Sequence, residues 1–133
     1  MSKTNIMKSK VIYLLVLTLL LSSCDEVLDY NYYVQNNYNK DIVIKYKNEK
    51  GESKTYEIVS KGNKLIYQKS ELVKYKSSFE PNCVKNTFKE LNVYTLNGDT
   101  SKFDYTDDKF WVKNKISDDL LKCTLTIDSL SFK

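Results

Sequence analysis

The side chains able to carry acid–base or ligand chemistry are two groups of aspartates, Asp104 with Asp107 and Asp108, and Asp118 with Asp119, together with Cys24, Cys83 and Cys123. The chain has no histidine and no arginine. Histidine-activated nucleophiles, imidazole metal ligands and bidentate guanidinium clamps on phosphate are therefore excluded. Calcium needs oxygen ligands converging on a loop, often in Asp-x-Asp-x-Asp spacing with a turn glycine, and neither aspartate group has that spacing. A glycosidase needs two carboxylates across a cleft, and no pair is marked for it. Both groups read as solvated turns, and the chain is expected to be non-catalytic, with no cofactor and no metal. Eleven tyrosines and one tryptophan offer a different chemistry. Aromatic faces stack on sugar rings and anchor protein interfaces. Tyr33, Tyr38 and Trp111 are the expected exposed ligand contacts, with Tyr33 on the outward side of its strand. Strand packing is the competing reading for each.

The elements that must position these residues read as short strands. Tyr30, Tyr32 and Val34 alternate with Asn31, Tyr33 and Gln35, a period-2 pattern. Asn36 to Lys40 has turn composition. Ile42, Ile44 and Tyr46 form a second alternation, and Tyr56 with Ile58 a third. A fourth strand begins at Leu65. Residues 69–89 read as a long irregular crossover, in which Ser70 to Tyr75 could be a helical turn or an edge strand, broken by Pro81. Leu91 and Val93 open a further strand. Asn97-Gly98 predicts a type I′ hairpin, with a return strand carrying Phe103 and Tyr105. Phe110-Trp111-Val112 is a short apolar run. Leu121, Cys123, Leu125 and Ile127 form the last strand. The missing alanine argues against a helical bundle. The expectation is an all-β, antiparallel, immunoglobulin-like sandwich of about seven strands.

The first 23 residues do not fit that scheme. Lys3, Lys8 and Lys10 precede an uncharged, mostly apolar run, Val11 to Leu21. Its length suits the core of an export signal and falls short of the ~20 residues that span a bilayer. It ends Leu21-Ser22-Ser23-Cys24, which resembles the lipobox of bacterial lipoproteins. The resemblance implies diacylglyceryl attachment to the Cys24 thiol, cleavage after Ser23 and acylation of the new amino terminus. Stable anchoring takes more than one acyl chain, in keeping with that chemistry. Asp25, Glu26 and Asp29 follow, and acids behind the lipidated cysteine resemble the surface-export signal of lipoproteins in the Bacteroidota. The domain scheme is a signal peptide at 1–23, a lipidated cysteine and acidic tether at 24–29, and a sandwich at 30–133. An outer-membrane, lipid-anchored location follows, with the cell surface preferred to the periplasmic face.

The mature chain also resembles small, largely uncharacterised lipoproteins of the Bacteroidota. The residues concerned are Tyr30 to Val34, the Ile42-Val43-Ile44 strand, the hairpin from Leu91 to Tyr105, and the closing Thr126-Ile127-Asp128. The resemblance implies a β-sandwich and membrane anchorage and brings no activity with it. With Cys24 lipidated, Cys83 and Cys123 can pair outside the cytoplasm, or remain two buried thiols. A bond between them would close a loop of about 41 residues and contribute about 3–4 kcal/mol in the chain-entropy picture. Asp128-Ser129-Leu130 resembles the O-glycosylation sequon of exported Bacteroidota proteins, which marks Ser129. From Cys24 onward 18 lysines face 17 acids, a net charge of +1, interspersed as on an ordinary solvated surface. Nucleic acid is therefore not an expected partner. The expected partners are the membrane, through the anchor, and a protein or glycan ligand. The competing functions are an envelope-anchored inhibitor or immunity protein against a secreted toxin or lysozyme, and, third, a glycan-acting enzyme.

Overall fold

The computed structural model describes residues 8–17, 26–73 and 82–132. Residues 8–17 form a helix, exposed along its length. Among the described residues no helix is long and apolar enough to cross a membrane. The remainder folds as a β-sandwich of seven strands: β1 (Glu26–Asn36), β2 (Ile42–Asn48), β3 (Ser53–Ile58), β4 (Asn63–Val73), β5 (Phe88–Thr95), β6 (Trp111–Ser117) and β7 (Leu120–Ile127). A four-stranded sheet has the order β4-β1-β7-β6, and a three-stranded sheet the order β3-β2-β5. The four-and-three division is that of a seven-stranded immunoglobulin sandwich, with a strand order of its own. Pairing is antiparallel except between β1 and β7, which run parallel from Asp29 opposite Leu120 to Asn36 opposite Ile127.

The alternations expected from sequence bury the residues they should. Tyr30, Tyr32, Val34, Ile42, Ile44, Tyr46, Leu121, Cys123, Leu125 and Ile127 all lie in the core. Its centre is aromatic. Tyr32 meets Phe88 edge-on at 5.3 Å and Trp111 at 5.7 Å between ring centres, and Tyr46 meets Phe88 at 5.2 Å. These rings come from β1, β2, β5 and β6, so one cluster joins both sheets. Edge-to-face geometry sets positive ring edges against negative faces and adds to the burial of area. Cys83 and Cys123 form a disulfide, with Cα atoms 5.9 Å apart.

Four features depart from expectation. First, β4 runs on through Val73, so residues 69–73 are strand and not irregular crossover, and of the two readings of Ser70 to Tyr75 the edge strand is realised as far as Val73. Its inward positions include Lys69 and Glu71, opposite Tyr30 and Leu28, so the apolar alternation is absent there. Residues 74–81, with Pro81, lie outside the described residues. Second, β1 begins at Glu26, inside the stretch read as tether, because Val27 and Leu28 pair with Leu72 and Glu71. Third, Asn97-Gly98 is not a type I′ turn. Gly98 has φ +91° and Asn97 has no positive φ, while the Gly98 N–H donates to the Thr95 carbonyl at 3.0 Å. This is the three-residue loop with a left-handed glycine. Fourth, the return from that loop is a single bridge, Tyr94 to Thr100, and Phe103 and Tyr105 lie outside any strand.

Two buried asparagines lock the turns. The Asn36 side chain donates to the carbonyls of Lys40 (2.8 Å), Ile58 (3.2 Å) and Val59 (3.2 Å), and its Oδ1 accepts from the Tyr38 N–H at 2.9 Å. It thus ties the β1–β2 turn to the end of β3. Asn48 Oδ1 accepts from the N–H groups of Lys50 and Glu52 in the β2–β3 turn. Gly62 is required by close approach, since a Cβ there would lie 2.9 Å from the Val59 carbonyl oxygen.

Replacing Cys83 and Cys123 together by serine is expected to lower the unfolding free energy by about 3–4 kcal/mol, read as a lower urea midpoint with a steeper slope, because the freed unfolded chain exposes more surface. Native protein carrying two free thiols at these positions by mass spectrometry would remove the basis for that loss. Asn36→Ala is expected to cost about 2–3 kcal/mol in the same assay, because it leaves buried backbone groups unpaired.

Candidate functional site

The pairing register places one set of side chains on the outer face of the four-stranded sheet. Residues directly opposite in neighbouring strands share a face and stand ~4.8 Å apart. One row crosses all four strands as Gln68, Asn31, Lys122 and Asn114. The next row towards the β1 C-terminus is Leu65, Tyr33, Thr124 and Val112, and the row beyond is Asn63, Gln35 and Thr126. An apolar row centred on Tyr33 therefore lies between two rows rich in carboxamides. The amides hold one another in place. Gln68 Nε2 donates to Asn31 Oδ1 at 3.0 Å, Asn63 Nδ2 to Gln35 Oε1 at 2.8 Å, and Gln35 Nε2 to the Lys61 carbonyl at 3.3 Å. An amide has two acceptor lone pairs and two N–H donors, so Asn31, Gln68, Asn63 and Asn114 keep capacity for a ligand. Tyr33 is half-buried, and the Lys122 ammonium stands 4.7 Å from its ring centre. Such a contact is worth about 0.5–1 kcal/mol when exposed.

From this face a cleft of about 740 Å³ passes over the edge of β4, lined among others by Asn31, Gln68, Ser70, Tyr67 and Glu49. Its inner wall is a polar clamp between the sheets. The Lys69 side chain is 9 % exposed; its Nζ donates to Glu71 Oε1 at 2.7 Å and to Thr87 Oγ1 at 2.6 Å and lies 5.0 Å from the Tyr30 ring centre. A buried ammonium survives only with such partners. Asp29 accepts from the Ser70 hydroxyl. Tyr67 donates to Glu49 Oε1 at 2.9 Å, while Glu49 Oε2 is buried with no hydrogen-bond partner among the described residues. Burial, then the charge of Glu71, raises the Tyr30 pKa. Burial likewise raises those of Tyr32 and Tyr46, and pushes Tyr67, which also donates to Glu49, up to about 12.

The residues singled out from sequence separate in the fold. Tyr33 sits at the centre of the outer face. Tyr38 lies in the turn after β1, half-buried against Phe132 with ring centres 5.1 Å apart. Trp111 leaves the exposed set: it is 5 % exposed, and its indole N–H donates to the Tyr105 carbonyl at 2.8 Å. It opens an edge strand, yet its ring is stacked 5.8 Å from Phe88. Ser129 is exposed and begins a short 3-10 turn, Ser129–Phe132. Cys24 lies outside the described residues. The aspartates have structural partners. Asp108 accepts from the Cys83 N–H at 2.8 Å and pairs with Lys113 at 2.7 Å. Asp107 caps the turn before β6 through the Lys109 N–H. Thr106 holds the Asp104 carboxyl below the usual range through its hydroxyl and its N–H. Asp118 pairs with Lys115, and the Asp119 carbonyl accepts from the Asp29 N–H. Among the described residues no three Cys, Asp or Glu side chains gather as a metal site.

The amide rows were not visible in the sequence. Asn31 and Gln35 alternate with Tyr33, which was a usable signal. Their meeting with Gln68 and Asn114 depends on β1 lying between β4 and β7. Comparison of the chain with protein-family models, curated proteins and solved structures finds no match.

The raised tyrosine pKa values set a pH dependence. The unfolded chain ionises its tyrosines near 10, while folded Tyr67 holds its proton to about 12 and Tyr30, Tyr32 and Tyr46 hold theirs longer. Above pH 10 the unfolded state binds fewer protons, so stability falls as pH rises. Alkaline titration followed by tyrosinate absorbance is expected to show these four ionising only with unfolding. Ionisation of Tyr30, Tyr32, Tyr46 and Tyr67 near pH 10 with the fold intact would contradict it.

Proposed function

We propose that the protein is a lipid-anchored cell-envelope protein whose sandwich is a non-catalytic binding domain for a protein or glycan. The observation that carries the anchor is the order of features at the N-terminus: basic residues, an uncharged apolar run, then Leu21-Ser22-Ser23-Cys24. Acylation of Cys24 places the domain at the outer membrane, and the acids that follow favour the cell surface. Only Asp25 separates Cys24 from the first residue of β1. Two residues reach at most ~7 Å, so the domain stands directly on the lipid headgroups with no stalk.

The binding role is supported by the outer face of the four-stranded sheet, where hydrogen-bonding amides flank a half-buried tyrosine. Against an acid–base role, the carboxylates near the cleft are largely engaged: Glu71 by Lys69, Asp29 by Ser70, and one oxygen of Glu49 by Tyr67. General acid–base catalysis needs a group free to move a proton at a substrate.

Cells fed an alkyne fatty acid are expected to label the wild-type chain and not Cys24→Ser, which should accumulate as uncleaved precursor. Label on the Cys24→Ser chain, or a mature N-terminus other than residue 24, would overturn the anchor. Protease added to intact cells is expected to digest the anchored domain.

A further inference from the structure

We infer that the outer face of the four-stranded sheet binds an uncharged glycan chain, laid across the strands with its sugar rings over Tyr33. This deepens the binding role proposed above and rests on it. A pyranose ring has two apolar C–H faces and a rim of hydroxyls. The sheet presents a matching pattern. The apolar row of Leu65, Tyr33, Thr124 and Val112 is one residue wide, and Leu65 and Val112 are 37 % and 57 % exposed. On either side, two residues away along the strands and so ~6.7 Å in distance, run the rows containing Asn31, Gln68 and Asn114, and Asn63 and Gln35. Each amide can donate and accept at once, as vicinal hydroxyls require.

The pairing of the amides gives this surface a built geometry. Gln68 and Asn31 fix each other across β4 and β1, as do Asn63 and Gln35, so little side-chain entropy remains to be lost on binding. The strand spacing of ~4.8 Å is close to the length of one pyranose unit, so successive sugars can meet successive strands. The cleft over β4 continues the track.

Charge complementarity selects an uncharged ligand. This face carries Lys122, and Asp29 already bonded to Ser70. The register of the other sheet puts Lys45, Lys47, Glu57 and Glu90 on its outer face. A protein ligand steered by charge would favour that charged side. The Lys122 ammonium, 4.7 Å from the Tyr33 ring centre, is displaced when a sugar ring stacks there.

The test uses the full acylated protein in a zwitterionic, sugar-free detergent, titrated calorimetrically with neutral gluco-, manno- and xylo-oligosaccharides of several linkages. At least one is expected to bind, with Tyr33→Ala and the pair Asn31→Ala/Gln68→Ala each weakening it by at least about ten-fold, as loss of a stacked ring or of two hydrogen bonds implies. Asn114→Ala, on an exposed edge strand, gives a second reading if Tyr33→Ala fails to fold. Lys45→Ala on the other sheet is expected to stay within about two-fold, and Lys122→Ala, which uncovers the Tyr33 ring, is expected not to weaken binding. Flat titrations throughout, binding that survives Asn31→Ala/Gln68→Ala, or binding abolished by Lys122→Ala and by salt would overturn the assignment. Flat titrations with fatty-acid label intact on Cys24 sink the glycan and leave the anchor standing, whereas absent label sinks the anchored reading itself.

Discussion

Cys83 is held from three directions, and the sandwich depends on that. Its sulfur is bonded to Cys123 on β7, its carbonyl accepts the hydroxyl of Tyr32 on β1, and its N–H is taken by Asp108 just before β6. The segment leading into β5, and so into the three-stranded sheet, is thereby tied to three points on or beside the four-stranded one. A domain of this size buries a modest core. A cross-link that restricts the unfolded chain supplies a large part of a net stability of about 5–15 kcal/mol.

The tyrosines extend the same principle in non-covalent form. With no alanine and few glycines, space between the sheets is filled by large rings whose hydroxyls must find partners. Tyr46 on β2 donates to the Ile66 carbonyl on β4 at 2.8 Å, crossing from one sheet to the other. The Tyr105 hydroxyl lies 2.6 Å from Ser101 Oγ. Where the core opens at β4, the filling becomes Lys69, Glu71 and Thr87, with the Lys69 ammonium beside the Tyr30 ring. That edge combines the polar clamp with the cleft.

Much of the fold was legible because alternation and burial coincide in β1, β2 and β7. Tyr30, Tyr32 and Val34, or Cys123, Leu125 and Ile127, are apolar at every second position and face the core. Legibility failed where another force set the inward residue. In β4 the inward Lys69 and Glu71 satisfy each other, so a strand end whose inward positions are charged reads as surface. Trp111 is buried while the six residues after it are exposed. A strand with one inward anchor has no period to detect, and only contact with Phe88 and Tyr32 explains it. The disulfide could be anticipated from Cys83, Cys123 and an exported context. The candidate site was half legible: Tyr33 faced outward as its alternation implied, but its companions come from β4 and β6, and no local pattern encodes their approach.

The parallel pairing of β1 with β7 gives that face its reach. Were β1 an edge strand, Asn31, Tyr33 and Gln35 would have neighbours on one side alone. Between β4 and β7 they become the middle of three rows. The same strand fixes height above a membrane if Cys24 is acylated. β1 would leave the anchor at Glu26 and rise by about 3.3 Å per residue, so the exposed Val27–Leu72 pair would lie near the anchor and Tyr33 ~20 Å higher. Apolar side chains that would be a liability on a free surface then stand at the headgroups, and the amide rows stand clear of them. One strand, central in its sheet, therefore sets the composition of the face and, with Cys24 acylated, would set its height.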